Sequence, residues 1–389
     1  MGSGAARGMA SSRAQALALI LGTAVGFCAA VAIGHAVTDY SKPSNFKRFY
    51  PQLTPAAGFY PTFSMLENLA LARWKPGKTV VIIGGNSILN GIGQSESELW
   101  SLRLQDRLCE RYSVVNMAFP GAYPSEGGAL VAESLLRQGI PVIYVANYNP
   151  GPVARAYESI YTYFYWDAFY KGKLLPNPGR DVELARRIPL LQQPDKDKIV
   201  VGRLDAKLRF EELWNHVAYR YVSTIWNNYI QRDSWKPRAD IPDSVATAPP
   251  VAERFRDNFD VEMLTTRGFS QTFAEPDGTG GWRVTQPPFV QATEDIDEIF
   301  VPQLRARMLM LLSENCPFYR DRLTPPERAR DLFAFAAYEK LWREHGVACV
   351  TIGTDFDPAD YRDRTHLSAS GGLKLADIVA DQVRRFPVP

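Results

Sequence analysis

The chain has 389 residues, 44 Lys and Arg against 42 Asp and Glu, a net charge of +2, and a 46% hydrophobic composition. That length and apolar content imply one or two domains with a sizeable core. The basic residues are spread along the chain in no long or dense block, which excludes a nucleic-acid partner.

From Ala14 to Thr38 no side chain is charged apart from a partial charge available to His35. Roughly 20 apolar residues span a bilayer as a helix, and "ALALILGTAVGFCAAVAIGHAV" is long enough. Arg7 and Arg13 precede it, whereas Asp39 follows and the next basic residue is Lys42. The positive-inside rule then makes 1–13 cytoplasmic, 14–38 a transmembrane anchor, and the remainder periplasmic or extracellular. A cleaved signal peptide is the rival reading, but the run exceeds the roughly 7–15 apolar residues of a signal-peptide core. Phe27 before Cys28 does not suit lipid attachment. The exported cysteines, Cys109, Cys316 and Cys349, show no pairing pattern, so one bridge and buried free thiols both remain open.

Residues 39–74 are Pro-rich and read as a membrane-proximal linker. Alternation then begins. "KTVVIIGG" reads as a buried strand, "SESELWSLRLQDRLCERY" as an amphipathic helix, "SVVNMAF" as a strand, "YPSEGGALVAESLLRQG" as a helix and "PVIYVANYN" as a third strand. Such βαβ units predict a parallel sheet covered on both faces. From 151 to 299 the pattern breaks into an aromatic, turn-rich and mainly helical insertion, with a helix expected around "RFEELWNHVAYRYVSTIWNNYI". The aromatic run from Tyr157 to Tyr170 reads as the insertion's own small core, with a sugar-stacking platform as the alternative. Afterwards "IFVPQLRARMLMLLSENC" and "PPERARDLFAFAAYEKLWREHG" read as helices, "VACVTIG" as a strand and "SASGGLKLADIVADQVRRF" as a terminal helix. The α/β domain is thus discontinuous, 75–150 plus 300–389.

In an open parallel sheet the site lies outside the carboxyl ends of the strands. The first predicted strand ends in "GGNS" with Ser87, the second runs into "NMAFPGAYP" with Gly121, and the third into "ANYNPG" with Asn147 and Asn149. The last runs into "TDFDPADYRDRTHLSASGG", with Asp363 and His366 three residues apart. A serine hydroxyl needs a base to take its proton, usually an imidazole oriented by a carboxylate. The Asp363–His366 spacing puts both on one face of a turn, with Asp360 as the competing carboxylate. Backbone N–H groups at Ser87 and Gly121 and an Asn amide would face a developing oxyanion.

Ser after the first strand, Gly after the second, Asn after the third and "D-x-x-H" before the last helix resemble the SGNH/GDSL hydrolase superfamily. The resemblance covers about half the chain in blocks. It implies a three-layer α/β/α flavodoxin-like fold, with Ser87 as nucleophile, Gly121 as second oxyanion donor, and Asp363 and His366 completing a triad. Asn86 stands where the family usually has Asp. The third motif is "NYNP" rather than Gly-x-Asn-Asp, with Asn149 favoured over Asn147 as the oxyanion asparagine. The layout, one anchor, an exported domain and a large insertion, is similar to the DltD proteins of D-alanine transfer and to SGNH-type proteins of polysaccharide O-acetylation. It implies a membrane-bound serine esterase or O-acyltransferase acting on acylated envelope glycan or a small ester. An inactive scaffold that binds a glycan or recruits a membrane acyltransferase is the alternative, and a structural envelope protein is a third reading.

No His, Cys and carboxylate cluster has metal-ligand spacing, and the glycines of "GGNSILNGIG" form no phosphate loop, so neither metal nor cofactor is expected. His216 reads as a packed or surface histidine and His345 as a helix C-terminal contact.

Overall fold

The computed structural model describes residues 4–38, 63–118, 122–148, 168–169, 171–178, 274–284 and 296–387. The chain forms two units, one of residues 1–40 with 185–235 and the other of 41–184 with 236–389. Of the first unit, the described part is the 35-residue helix α1, Gly4–Thr38. Leu17, Leu19, Ile20, Leu21, Val25 and Phe27 on it are all exposed. Among the described residues, no helix is long and apolar enough to cross a membrane. The span expected over 14–38 is therefore not given by the structure.

The second unit holds helix α2 (Phe63–Arg73), strand β1 (Thr79–Ile83), a single turn of helix α3 (Ser87–Asn90), α4 (Trp100–Leu108), β2 (Tyr112–Asn116), α5 (Gly128–Arg137) and β3 (Val142–Tyr148). After a short hairpin, β4 (Ala274–Pro276) and β5 (Trp282–Val284), come α6 (Ile296–Ile299), α7 (Pro302–Arg305), β6 (Met308–Ser313), α8 (Pro317–Arg320), α9 (Pro325–Glu344), β7 (Ala348–Ile352) and α10 (Ala369–Val383). Five strands form one sheet in the order β2-β1-β3-β6-β7, and every pairing is parallel. The mixed α/β architecture expected from the sequence is therefore present.

Both faces of the sheet are covered, which explains why β1 reads "TVVII" with every residue buried. On one face Val81, Ile83, Ile143, Val145, Leu309 and Leu311 pack with Trp100 and Leu104 of α4 and Leu375 and Val379 of α10. Helices α2, α5 and α9 pack against other strand residues, α2 and α5 against β1 and α9 against β7. Ile83 lies level with Asn116 on one side and Val145 on the other. That register brings the ends of β1, β2 and β3 to one edge.

Two expectations change. The run "MLMLLS", read as part of a helix, is the fully buried strand β6. An apolar run buried on both sides has no alternation to separate it from a buried helix. The last part of the expected linker is α2, with Phe63, Leu66, Leu69 and Ala70 buried at helical spacing. Buried Glu67 on α2 accepts from Ser134 Oγ (2.6 Å) and Gln138 Nε2 (3.0 Å) of the α5 region, so the helix belongs to the domain. Within 151–299, expected as a mainly helical insertion, the described residues include the antiparallel hairpin β4–β5, whose Trp282 ring lies under the Arg330 guanidinium of α9 at 4.8 Å. The expected helix around Arg209–Ile230 and most of the Tyr157–Tyr170 run lie outside the described residues, as does His216.

Candidate active site

The site is built where β1 stops. Gly85 adopts φ +85, a left-handed conformation that strains any side chain, and a Cβ there would run into Asn147 Oδ1. The chain then turns at Asn86, whose side chain caps α3 by accepting from Ile88 N at 3.0 Å. Ser87 is the first residue of α3, half-buried at the sheet edge. Gly91, at φ 88, closes the helix after one turn.

Asn147, at the end of β3, grips this turn from below. Its Oδ1 accepts from Asn86 N at 3.1 Å, and its Nδ2 donates to Asn86 Oδ1 at 2.9 Å. Asn147 is 1% exposed. The Asn86 oxygen thus accepts twice, from Ile88 N and from Asn147, which are bonds that an Asp carboxylate at this position would also accept. With Asn86 in place the hydrogen bonding of the turn is complete.

The partners of Ser87 arrive from the loop between β7 and α10. Asp363 Oδ1 accepts from Thr365 N (2.9 Å) and His366 N (2.7 Å), a turn closed by the aspartate's own side chain. The same three-residue spacing leaves Asp363 Oδ2 beside His366 Nδ1 at 2.5 Å. His366 Nε2 lies 2.8 Å from Ser87 Oγ. With Nδ1–H donating to the carboxylate, Nε2 is the acceptor for the serine hydroxyl. Burial alone would push the Asp363 carboxyl up, but the hydrogen bond and charge of His366 and the two backbone N–H groups outweigh it, holding the group below the ordinary carboxylate range.

The loop itself is held from several sides. Arg362 N donates to His366 O (2.7 Å), Cys316 N to Arg364 O (2.8 Å) and Ser368 N to Asp360 O (2.8 Å). Ser368 caps α10 at Gly371 N. Asp360, the competing carboxylate, is committed elsewhere, accepting from Lys374 Nζ at 2.5 Å and Asp357 N at 2.9 Å.

The structure therefore brings Ser87, His366 and Asp363 into one hydrogen-bonded line. Asn147 sits next to that line, with both ends of its amide turned to Asn86. Gly121 and Asn149 lie outside the described residues. Among the described residues no cluster of His, Cys, Asp and Glu is arranged for a metal. Cys316 and Cys349 are buried free thiols, and Cys109 is free and exposed. His345 ends α9, as expected from its place, with Nδ1 2.9 Å from Asp297 Oδ1.

Sequence reasoning missed Asn90, Tyr144 and Glu126 at this edge. Asn90 Nδ2 donates to Ala118 O at 2.7 Å, and Tyr144 OH to Pro124 O at 2.6 Å. Glu126 Oε2 accepts from Tyr123 N at 2.8 Å. Burial pushes the Glu126 carboxyl up to about 7, against the lowering effect of that backbone bond. For Tyr144 the one signal was a phenol in the apolar run "VIYV", which carries no hint of its partner, and Asn90 and Glu126 had no such signal.

No protein-family model matches the chain, and no curated protein matches it. Among solved structures the chain is similar to one described as "a putative arylesterase from Agrobacterium tumefaciens", with 12% identity and a TM-score of 0.31 over 80% of this chain and 100% of that one. At that TM-score the likeness carries no weight, and the site stands on its own geometry.

Proposed function

We propose that the chain is a membrane-anchored serine esterase or O-acyltransferase of SGNH type, acting on ester-linked acyl groups of an exported glycan or a related small ester. One observation carries this reading: Ser87 Oγ, His366 and Asp363 in hydrogen-bonded succession at 2.8 and 2.5 Å. Ser87 Oγ attacks the ester carbonyl while His366 Nε2 takes its proton, and the Asp363 carboxylate stabilises the imidazolium that forms. The tetrahedral oxyanion meets the Ser87 N–H, a first-turn donor of α3 with no partner inside the helix. The Gly121 N–H and the Asn149 amide complete the hole in this reading, since Asn147 is engaged with Asn86. His366 then returns the proton to the leaving alkoxide. Water, or a glycan hydroxyl deprotonated by the same imidazole, resolves the acyl-enzyme. No step calls for a cofactor.

The anchor is part of the proposal. Its support is in the sequence: the uncharged, apolar run over 14–38 and Arg7 and Arg13 before it. The inactive-scaffold alternative loses much of its support, because Asn86 fills the hydrogen-bonding role at the turn and the nucleophile keeps its base.

The test is turnover of p-nitrophenyl acetate by the full-length chain in detergent, with and without an oligosaccharide acceptor. Hydrolysis that disappears in Ser87→Ala supports an esterase, and acetylated oligosaccharide in the wild type alone supports a transferase. A folded wild type no faster than Ser87→Ala would overturn the reading.

A further inference from the structure

The loop between β2 and α5 leaves the sheet beside the Ser87 turn, and two buried side chains tie it there. At its start, Asn90, the last residue of α3, donates from Nδ2 to Ala118 O at 2.7 Å. The neighbouring Leu89 carbonyl accepts from Asn116 Nδ2 at 3.0 Å, and Asn116 Oδ1 accepts from Ala118 N at 3.1 Å. The helical turn that begins with Ser87 is thereby stitched to residues 116–118.

At its far side, Tyr144 of β3 donates its hydroxyl to Pro124 O at 2.6 Å. The phenol reaches that carbonyl by passing Gly84, where an added Cβ would collide with the hydroxyl itself. A Cβ at Gly128 would press on the same ring at 3.2 Å. Two glycines thus clear a path for one side chain. The first of them is three residues before Ser87, so the tyrosine lies against the backbone that leads into the nucleophile.

Neither bond belongs to the sheet or to a helix. Asn90 and Tyr144 are each fully buried, where a polar group without a partner is costly. Phenylalanine or leucine would fill the interior without that requirement. What the two polar tips share is a target: carbonyls at 118 and 124, on either side of the residues among which Gly121 falls by sequence.

We propose that Asn90 and Tyr144 are positioning residues which set the distance of the β2–α5 loop from Ser87, and so the geometry in which an oxyanion formed at Ser87 is met. The inference rests on the serine-esterase reading above. Displacement of a group by about 1 Å from the reacting atoms costs up to about a hundredfold in rate. Because oxyanion contacts form in the transition state, the loss falls on kcat with KM little changed.

The experiment compares the full-length wild type with Ser87→Ala, Tyr144→Phe and Asn90→Leu, the last close in size but without a donor. Leu108→Ala, a core truncation at the far end of α4, serves as a control for lost stability. Kinetics with p-nitrophenyl acetate are recorded beside circular dichroism and melting temperature. Tyr144→Phe and Asn90→Leu are each expected to lower kcat about tenfold to a hundredfold while KM stays within about twofold. Leu108→Ala is expected to melt earlier yet keep wild-type kcat. Because both bonds hold one loop, the double variant is expected to lose less than the product of the single losses. A folded Tyr144→Phe or Asn90→Leu with kcat within twofold of wild type overturns the inference, as does an equal kcat loss in Leu108→Ala. If one variant does not fold, the other decides. Wild-type turnover equal to that of Ser87→Ala overturns the esterase reading and this inference with it, an outcome distinct from an active wild type with indifferent variants.

Discussion

Glu126 gives the stability of the domain a measurable pH dependence. The residue is 8% exposed, and burial raises its carboxyl pKa from 4.5 to about 7. The folded protein therefore holds a proton that the unfolded chain has released over the range from 4.5 to about 7. Stability from this group is fully present below the lower value and is lost as pH rises through the upper one. The gap, at about 1.4 kcal/mol per pH unit, amounts to about 3 kcal/mol. Glu126→Gln removes the titration while keeping a side-chain oxygen to accept from Tyr123 N. Urea unfolding of the full-length chain at pH 5 and pH 8, followed by tryptophan fluorescence, reads the difference, since Trp100 and Trp342 are fully buried in the domain. Between pH 5 and pH 8, which omits the first part of the range, the variant is expected to gain about 2.5 kcal/mol relative to wild type. A wild-type-to-variant difference that stays constant within about 1 kcal/mol would refute the reasoning.

Asp363→Asn should keep the local fold yet lower kcat for p-nitrophenyl acetate by about a thousandfold or more, because the amide no longer fixes the imidazole with Nε2 free to accept; steady-state kinetics decide it. Gly85→Ala should destabilise by at least about 1–2 kcal/mol from backbone conformation alone, with a further loss from the collision with Asn147, seen as an earlier melt and a lower kcat together. Asn147→Ala leaves Asn86 N without its acceptor and should cost about 1–3 kcal/mol, again with loss of turnover; unchanged kcat would mean that the Asn86 turn holds itself. For the anchor, carbonate extraction of cells expressing the full-length chain should leave it in the membrane pellet and release a chain beginning at residue 41, whereas release of both would remove the anchor from the account.

The candidate site was more legible than the fold around it. Ser87, Asp363 and His366 could be found because parallel strands deliver their functional residues at one edge, and because "DRTH" carries its own geometry: an aspartate three residues before a histidine closes a turn on the histidine's N–H and reaches its ring. Spacing favoured Asp363 over Asp360, and the contacts of Asp360 with Lys374 and Asp357 N show that it is occupied elsewhere. Strand β6 was hidden by its own burial, with five apolar residues in succession and no polar face. Helix α2 was hidden by context. Its Phe63, Leu66, Leu69 and Ala70 have helical spacing, but the prolines before them drew the segment into the linker, and Glu67 on the buried side disguised its face. The roles of Gly84, Asn90 and Tyr144 were illegible for a different reason: each depends on a neighbour brought up by another strand or loop, and no local pattern encodes that.

The central claim is that Ser87 is a base-activated nucleophile. The most direct measurement is labelling of the full-length protein with a fluorophosphonate, followed by peptide mass mapping. The account predicts a single adduct on the peptide carrying Ser87, absent in Ser87→Ala and strongly slowed in His366→Gln. A folded protein that takes no label, or takes it on another residue, would contradict it.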